Sequence, residues 1–191
     1  MIRAAFQTAR LHLRPVAAQD EADVVAGLND LAVSGWLAVV PYPYDPADFH
    51  VFLHDIAKPG ATFAIADAAG FVGIIGLETS GPAAAPGSGP LKLGYWLAPR
   101  AHGKGYATEA ARGVLAMHFA QSSDPVASGY FEGNAPSANV LRKLGFVETG
   151  RGDLPCRALN RTRPHVDLTL TPEAFATASA SPQVRACTDP R

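Results

Sequence analysis

Between Leu91 and Tyr106 the chain reads LKLGYWLAPRAHGKGY, and a helix-periodic run follows it. Leu91, Leu93, Tyr95 and Leu97 alternate with Lys92, Gly94 and Trp96, which is the period of a strand. Pro99 ends that strand, because proline has no amide hydrogen to give a sheet ladder. From Tyr106 onward Ala107, Ala110, Ala111, Val114, Leu115 and Phe119 recur at helical spacing. Arg100–Gly105, between the two, holds two glycines together with Arg100, His102 and Lys104. A strand, a glycine turn and a helix start make an anion site. The first amides of a helix lack internal partners, and the macrodipole adds about 0.3–1 kcal/mol per favourable contact. Gly103 and Gly105 let the backbone approach a phosphate, and Arg100 and Lys104 add full charges.

Two common phosphate loops do not fit. A Walker loop needs glycine where Ala98 stands, and Ser or Thr where Gly105 stands; a dinucleotide fingerprint needs a third glycine at Thr108. The pattern Arg/Gln-x-x-Gly-x-Gly/Ala does fit, as Arg100-Ala101-His102-Gly103-Lys104-Gly105. It resembles the pyrophosphate loop of the GNAT N-acetyltransferases. With GYW before it and YATEA after it, the segment is similar to the RimJ/RimL-like branch, which acetylates ribosomal-protein N-termini and other amines. Thr8–Pro15, TARLHLRP, resembles that branch's opening TERLxLRP, with Ala9 where Glu is usual. The resemblance implies acetyl-CoA as cosubstrate, with Arg100, His102, Gly103, Lys104, Gly105, Tyr106, Ala107 and Thr108 at its pyrophosphate. It also implies that the backbone near Trp96 and Leu97 pairs with the pantetheine amides.

A second segment, Glu132–Phe146, is similar to the family's N-x-x-S-x-x-V-L-x-K-L-G-F. Asn134 suits a helix N-cap and Pro136 a first turn, so this stretch also serves the fold. The resemblance implies that Asn134 contacts the pantetheine arm and that Ser137 gives a proton to the leaving thiolate. Two departures bear on chemistry. Leu141 stands where many members carry a tyrosine acid, and Lys92 where an acid often precedes the Gly-Tyr-Trp run. Lys92 cannot be a base, so Glu78, ending the preceding strand, is the substitute. A site so equipped favours an acceptor that is already neutral, such as an N-terminal α-amine. Trp36, Tyr42, Tyr44 and the Gly81–Pro90 loop are expected to line the acceptor pocket. Lys92 and Leu141 also leave open an acyl-CoA-binding sensor without turnover.

In chain order the pattern gives a strand over Thr8–Pro15, helices over Gln19–Leu28 and Asp30–Leu37, and a helix capped by Asp45. A hairpin over Thr62–Asp67 and Phe71–Glu78 follows, then the central strand, the helix after Tyr106 and a strand over Pro125–Phe131. A helix over Asn134–Leu144 precedes closing strands over Phe146–Arg151 and His165–Leu170. That order predicts an α+β GNAT fold, a mixed and mostly antiparallel sheet flanked by helices, as one domain over residues 1–171. Residues 172–191, rich in Ala, Ser, Thr and Pro, are expected to be a poorly ordered tail. A formal charge of −1 gives no global field for nucleic acid or an anionic membrane. Two cysteines make no disulfide framework, and no apolar run is long enough to span a bilayer. The expectation is a cytoplasmic monomer or homodimer without a metal.

Overall fold

The computed structural model describes residues 5–79 and 91–180. Eight strands form one sheet: β1 (Phe6–Gln7), β2 (His12–Pro15), β3 (Thr62–Asp67), β4 (Gly70–Thr79), β5 (Leu91–Leu97), β6 (Val126–Phe131), β7 (Val147–Cys156) and β8 (Arg161–Leu170). Their order is β1-β2-β3-β4-β5-β6-β8-β7, and every neighbouring pair is antiparallel except β5 with β6. The fold is therefore the expected mixed, mostly antiparallel sheet with helices on both faces.

Alternation along the strands separates two cores. One face of the sheet (Leu13, Phe63, Ile75, Leu93, Val126, Leu168) packs against α4 (Tyr106–Phe119), α5 (Ala135–Leu144) and α6 (Pro172–Ala180). The other face carries α1 (Glu21–Leu28), α2 (Leu31–Ser34) and α3 (Pro46–Val51), with Val24, Leu28, Phe49, Ile74 and Trp96 at its centre. Local chemistry sets the helix ends. The Asp45 carboxylate accepts from the Asp48 amide, Asn134 from the Ser137 amide, and Gly145 closes α5 in the left-handed region at φ 95°.

Two expectations are corrected. Residues 152–164 are mostly strand rather than a connection: β7 and β8 pair from Val147↔Thr169 out to Cys156↔Arg161, and only the short turn at Arg157–Asn160 joins them. As an edge strand β7 needs partners on one side only, so it tolerates Gly150, Gly152 and Pro155, the residues that obscure its period. Residues 172–180 are not a poorly ordered tail, because Phe175 docks α6 into the main core, its ring 5.4 Å from Phe119, and residues 181–191 lie outside the described residues. The Gly81–Pro90 loop lies outside the described residues.

Candidate active site

The site begins where β5 and β6 part. They pair only at Leu91↔Val126 and Lys92↔Ala127, and beyond that neither strand hydrogen-bonds the other along the ladder. The Ser128 hydroxyl donates to the Leu93 carbonyl at 2.9 Å where the gap opens. The Ala98 amide donates to Val72 on β4, so the two-residue alternation turns Trp96 toward β4 as well. Tyr95 and Leu97 then present their polar groups to the gap. His102 Nε2 donates to the Leu97 carbonyl at 2.8 Å, which leaves the Leu97 amide and both polar groups of Tyr95 to line the cleft. Of the two backbone positions expected there, Leu97 faces the cleft. Trp96 does not, since its backbone serves β4 and its ring packs 5.8 Å from Phe71.

At the mouth of the cleft, Gly103 and Gly105 sit at φ 74° and 78°. The first helical bond of α4 runs from the Glu109 amide to Gly105. Among the described residues, the six amides from Gly103 to Thr108 carry no protein hydrogen bond. Consecutive open amides at the positive end of a helix are a built anion cradle. Arg10 braces it. Its guanidinium donates to the Lys104 carbonyl and pairs with Glu109, which also accepts from Thr8. Burial pushes the Glu109 carboxyl up, but these bonds outweigh it and hold the group below the usual carboxylate range.

Side chains in the loop divide unevenly. Arg100 is committed: it pairs with Asp67 at 3.2 Å and donates to the carbonyls of Gly70 and Phe71, tying the loop to the β3–β4 turn. His102 is committed to Leu97. Both therefore shape the cradle rather than offer a free charge. Lys104 lies over the Tyr106 ring at 5.8 Å and donates no side-chain hydrogen bond within the described residues.

Across the cleft, the Asn134 carboxamide oxygen accepts from the Ser137 amide at 3.2 Å, which leaves its NH2 group open. The Ser137 hydroxyl is 3.0 Å from the Tyr95 hydroxyl, a contact that joins the β5 wall to the first turn of α5. Burial pushes the Tyr95 phenol up to about 12, although its bond to Ser137 pulls the other way, so it stays protonated at neutral pH. The sequence pattern alone does not single out the Tyr95 hydroxyl for the cleft, although the Gly-Tyr-Trp run carries it. Leu141 is fully buried in the main core.

On the opposite face lie Glu78, Lys92 and His165. The Glu78 carboxylate accepts from the Thr62 hydroxyl and faces Lys92 across the ladder. Trp36 lies half-buried beneath the Arg163 guanidinium, 4.3 Å away, and Tyr42 is 43% exposed. Tyr44 is a correction: only 5% exposed, it packs with Val24, Leu28 and Phe49 and is core, not pocket wall. Among the described residues no group of three or more His, Cys, Asp or Glu side chains could hold a metal ion, and no helix is long and apolar enough to cross a membrane.

Residues 10–147 match the acetyltransferase (GNAT) domain family. The chain belongs to that family. It is an acetyl-CoA-dependent acetyltransferase, and acetyl-CoA is its cosubstrate. A Mycobacterium smegmatis RimJ in complex with CoA-disulfide is similar at 25% identity and TM-score 0.67, over 85% of this chain and 82% of that one. A GNAT-family acetyltransferase from Bacillus anthracis matches at 20% identity and TM-score 0.73, over 88% and 99%. A putative acetyltransferase from T. thermophilus matches at 22% and 0.75, over 94% and 95%. No curated protein matches the chain.

Proposed function

We propose that this GNAT enzyme transfers acetyl from acetyl-CoA to a primary amine, in the manner of the RimJ/RimL-like branch, and that a protein N-terminal α-amine or a small-molecule amine is the acceptor. The observation that carries the reading is the pairing of six open amides with a cleft whose inner wall keeps its backbone groups free. A pyrophosphate suits the amides, and a pantetheine arm suits the wall as a strand substitute. Arg100, His102 and Lys104 frame the pyrophosphate end, while Asn134 meets the pantetheine with its free NH2 group.

The amine attacks the thioester directly in a ternary complex, without an enzyme-bound acyl group. Positioning supplies much of the acceleration, and a cleft-facing amide of Tyr95 or Leu97 stabilises the oxyanion. Ser137 gives its proton to the departing thiolate, held in place by the Tyr95 hydroxyl. Trp36 and Tyr42 border the acceptor side, and Glu78 lies on the same face. Lys92 there disfavours an approaching ammonium. At pH 7.5 an α-amine with a pKa of about 7.7–8.0 is substantially neutral, whereas lysine near 10.4 is about 0.1% so. Cytoplasmic residence accords with acetyl-CoA supply.

The test is acetyl transfer to a panel of peptides with free α-amines, α-blocked lysine peptides and small amines, followed by thiol release. Faster acetylation of the blocked lysine peptides would sink the acceptor assignment. Binding of acetyl-CoA with no transfer to any amine would sink the transfer itself.

A further inference from the structure

A histidine–aspartate pair stands on the acceptor face with no work assigned to it. Val166 and Leu168 of β8 enter the main core, so His165 and Asp167 turn to the opposite face, with Lys92 and Glu78. His165 is only 7% exposed. Its ring leans over β6 at Gly129, where a Cβ would meet Cε1 at 2.3 Å and Nε2 at 2.7 Å. Only glycine leaves that room. Gly129 lies two residues past Ala127, the last residue of β6 paired with β5, so the ring reaches the sheet where the cleft has opened. Phe131 supports it edge-on, with centroids 5.6 Å apart.

The two ring nitrogens have different surroundings. Nδ1 is 3.3 Å from Asp167 Oδ1, a contact that assigns the proton to Nδ1. Nε2 has no protein partner among the described residues, and it is not one of their buried unpaired polar atoms, of which Arg112 Nε is the sole case. It therefore keeps an unbonded lone pair with access to solvent. Glu78 is less free, since its carboxylate is bonded to Thr62.

We propose that His165, oriented by Asp167, is the base that receives the acceptor amine's proton. The proposal rests on the amine-transfer reading above. As the amine nitrogen bonds to the thioester carbonyl carbon, one N–H proton passes to Nε2. The C–S bond then breaks, its electron pair leaves with sulfur, and the thiolate takes the Ser137 proton. His165 returns its proton to solvent and Ser137 regains one, so the sum is an amide and a free thiol.

The local charges fit this work. Burial lowers the proton affinity of His165, Asp167 raises it, Lys92 lowers it again, and the net pKa lies below the ordinary 6.5. The imidazole is neutral and receptive at pH 7. Among the described residues, the charged groups of this face on the strands nearest His165 are Asp167, Arg163 and Arg161 on β8, Lys92 on β5 and Glu78 on β4; β7 opposes them with Gly150, Gly152 and Leu154. Arg163 is occupied between Trp36 and Phe131, donating to the Gly35 carbonyl.

The experiment compares wild type with His165→Gln, Lys92→Met, Asp167→Asn and Glu78→Gln. It uses the fastest amine of the panel and measures acetyl-CoA affinity, Tm and the pH profile of kcat/KM. His165→Gln should bind acetyl-CoA within about twofold of wild type yet lose about 100-fold or more in kcat, the scale of general base catalysis. The wild-type profile should break below pH 6.5, and His165→Gln should lack that break. Lys92→Met should move the break up and Asp167→Asn down, which keeps the test alive if His165→Gln misfolds. Three results would overturn the proposal: an unchanged kcat and break in His165→Gln, a break that neither neighbour moves, or a break lost in Glu78→Gln instead. A wild type that acetylates no amine overturns the transfer reading and this proposal together. An active wild type with an equally active His165→Gln overturns this proposal alone.

Discussion

Gly105 offers the sharpest perturbation of the cofactor loop. It caps α4 in the left-handed region, in the middle of the open amides. A Cβ built there meets only Arg10 Nη2, at 3.6 Å, an ordinary contact. Gly105→Ala therefore carries left-handed strain and little else, about 1–2 kcal/mol, or a fall of about 2–8 °C in Tm for a chain of this size. Gly105→Glu carries the same strain and adds a carboxylate where a phosphate belongs. Hydrogen bonds to charged groups are worth about 1.5–3 kcal/mol each, and forfeiting two of them predicts a loss of about 3–6 kcal/mol. That is a weakening of roughly 100-fold to 10⁴-fold in Kd. Calorimetric titration with acetyl-CoA, CoA and ATP on wild type and both variants, with Tm for each, separates strain from charge. The alanine variant should bind acetyl-CoA within about tenfold of wild type. Equal affinities in the two variants would refute the electrostatic argument, and a folded wild type that binds neither CoA species would remove the loop assignment altogether.

Arg100→Ala should lower Tm by a few degrees, because it releases the β3–β4 turn, and should change acetyl-CoA affinity by less than about threefold; a loss of about 100-fold would mean that the guanidinium leaves Asp67 for the cofactor. Ser137→Ala should cut kcat by about 100-fold with little change in acetyl-CoA affinity, and Tyr95→Phe by about tenfold, measured as thiol release at saturation. A Ser137→Ala enzyme with wild-type kcat would clear Ser137 of proton donation. Asp20→Ala removes the partner of Arg14 and the acceptor for the Ala17 amide at a carboxylate only 1% exposed. About 3 kcal/mol of stability should go with it, read as a fall of about 6–12 °C in Tm.

The sequence is most legible where backbone needs dictate residue type. The turn from β5 into α4 requires glycines and a proline, and the β6–α5 junction requires an Asn cap and a closing glycine; both lie where the pattern puts them. What stays hidden is what the sheet brings together across long stretches of chain. Tyr95 and Ser137 are 42 residues apart, and Ser128 and Leu93 are 35 apart. Arg100 reads as a phosphate ligand because its partner, Asp67, sits in a hairpin whose proximity no local period reports. Tyr44 reads as a pocket aromatic because sequence does not say which way a loop side chain turns. His165 and Asp167 did carry a signal. Two polar residues at i and i+2 on a strand share one face, and the residues between and beyond them, Val166 and Leu168, mark the other as core.

Backbone hydrogen bonding also sets where the site lies. A strand inside a sheet normally spends every amide and carbonyl on its neighbours, and a buried group left over costs free energy. Here the sheet stays open between β5 and β6, and the fold closes the gap with side chains only in part: Ser128 covers Leu93 and His102 covers Leu97. The groups left over, on Tyr95 and Leu97, continue at the mouth into the open amides of Gly103–Thr108. An interior gap of this shape is filled by an extended amide-bearing chain that ends in an anion. Acetyl-CoA has that form, and in the proposed binding mode the cofactor supplies the strand pairing that the sheet omits.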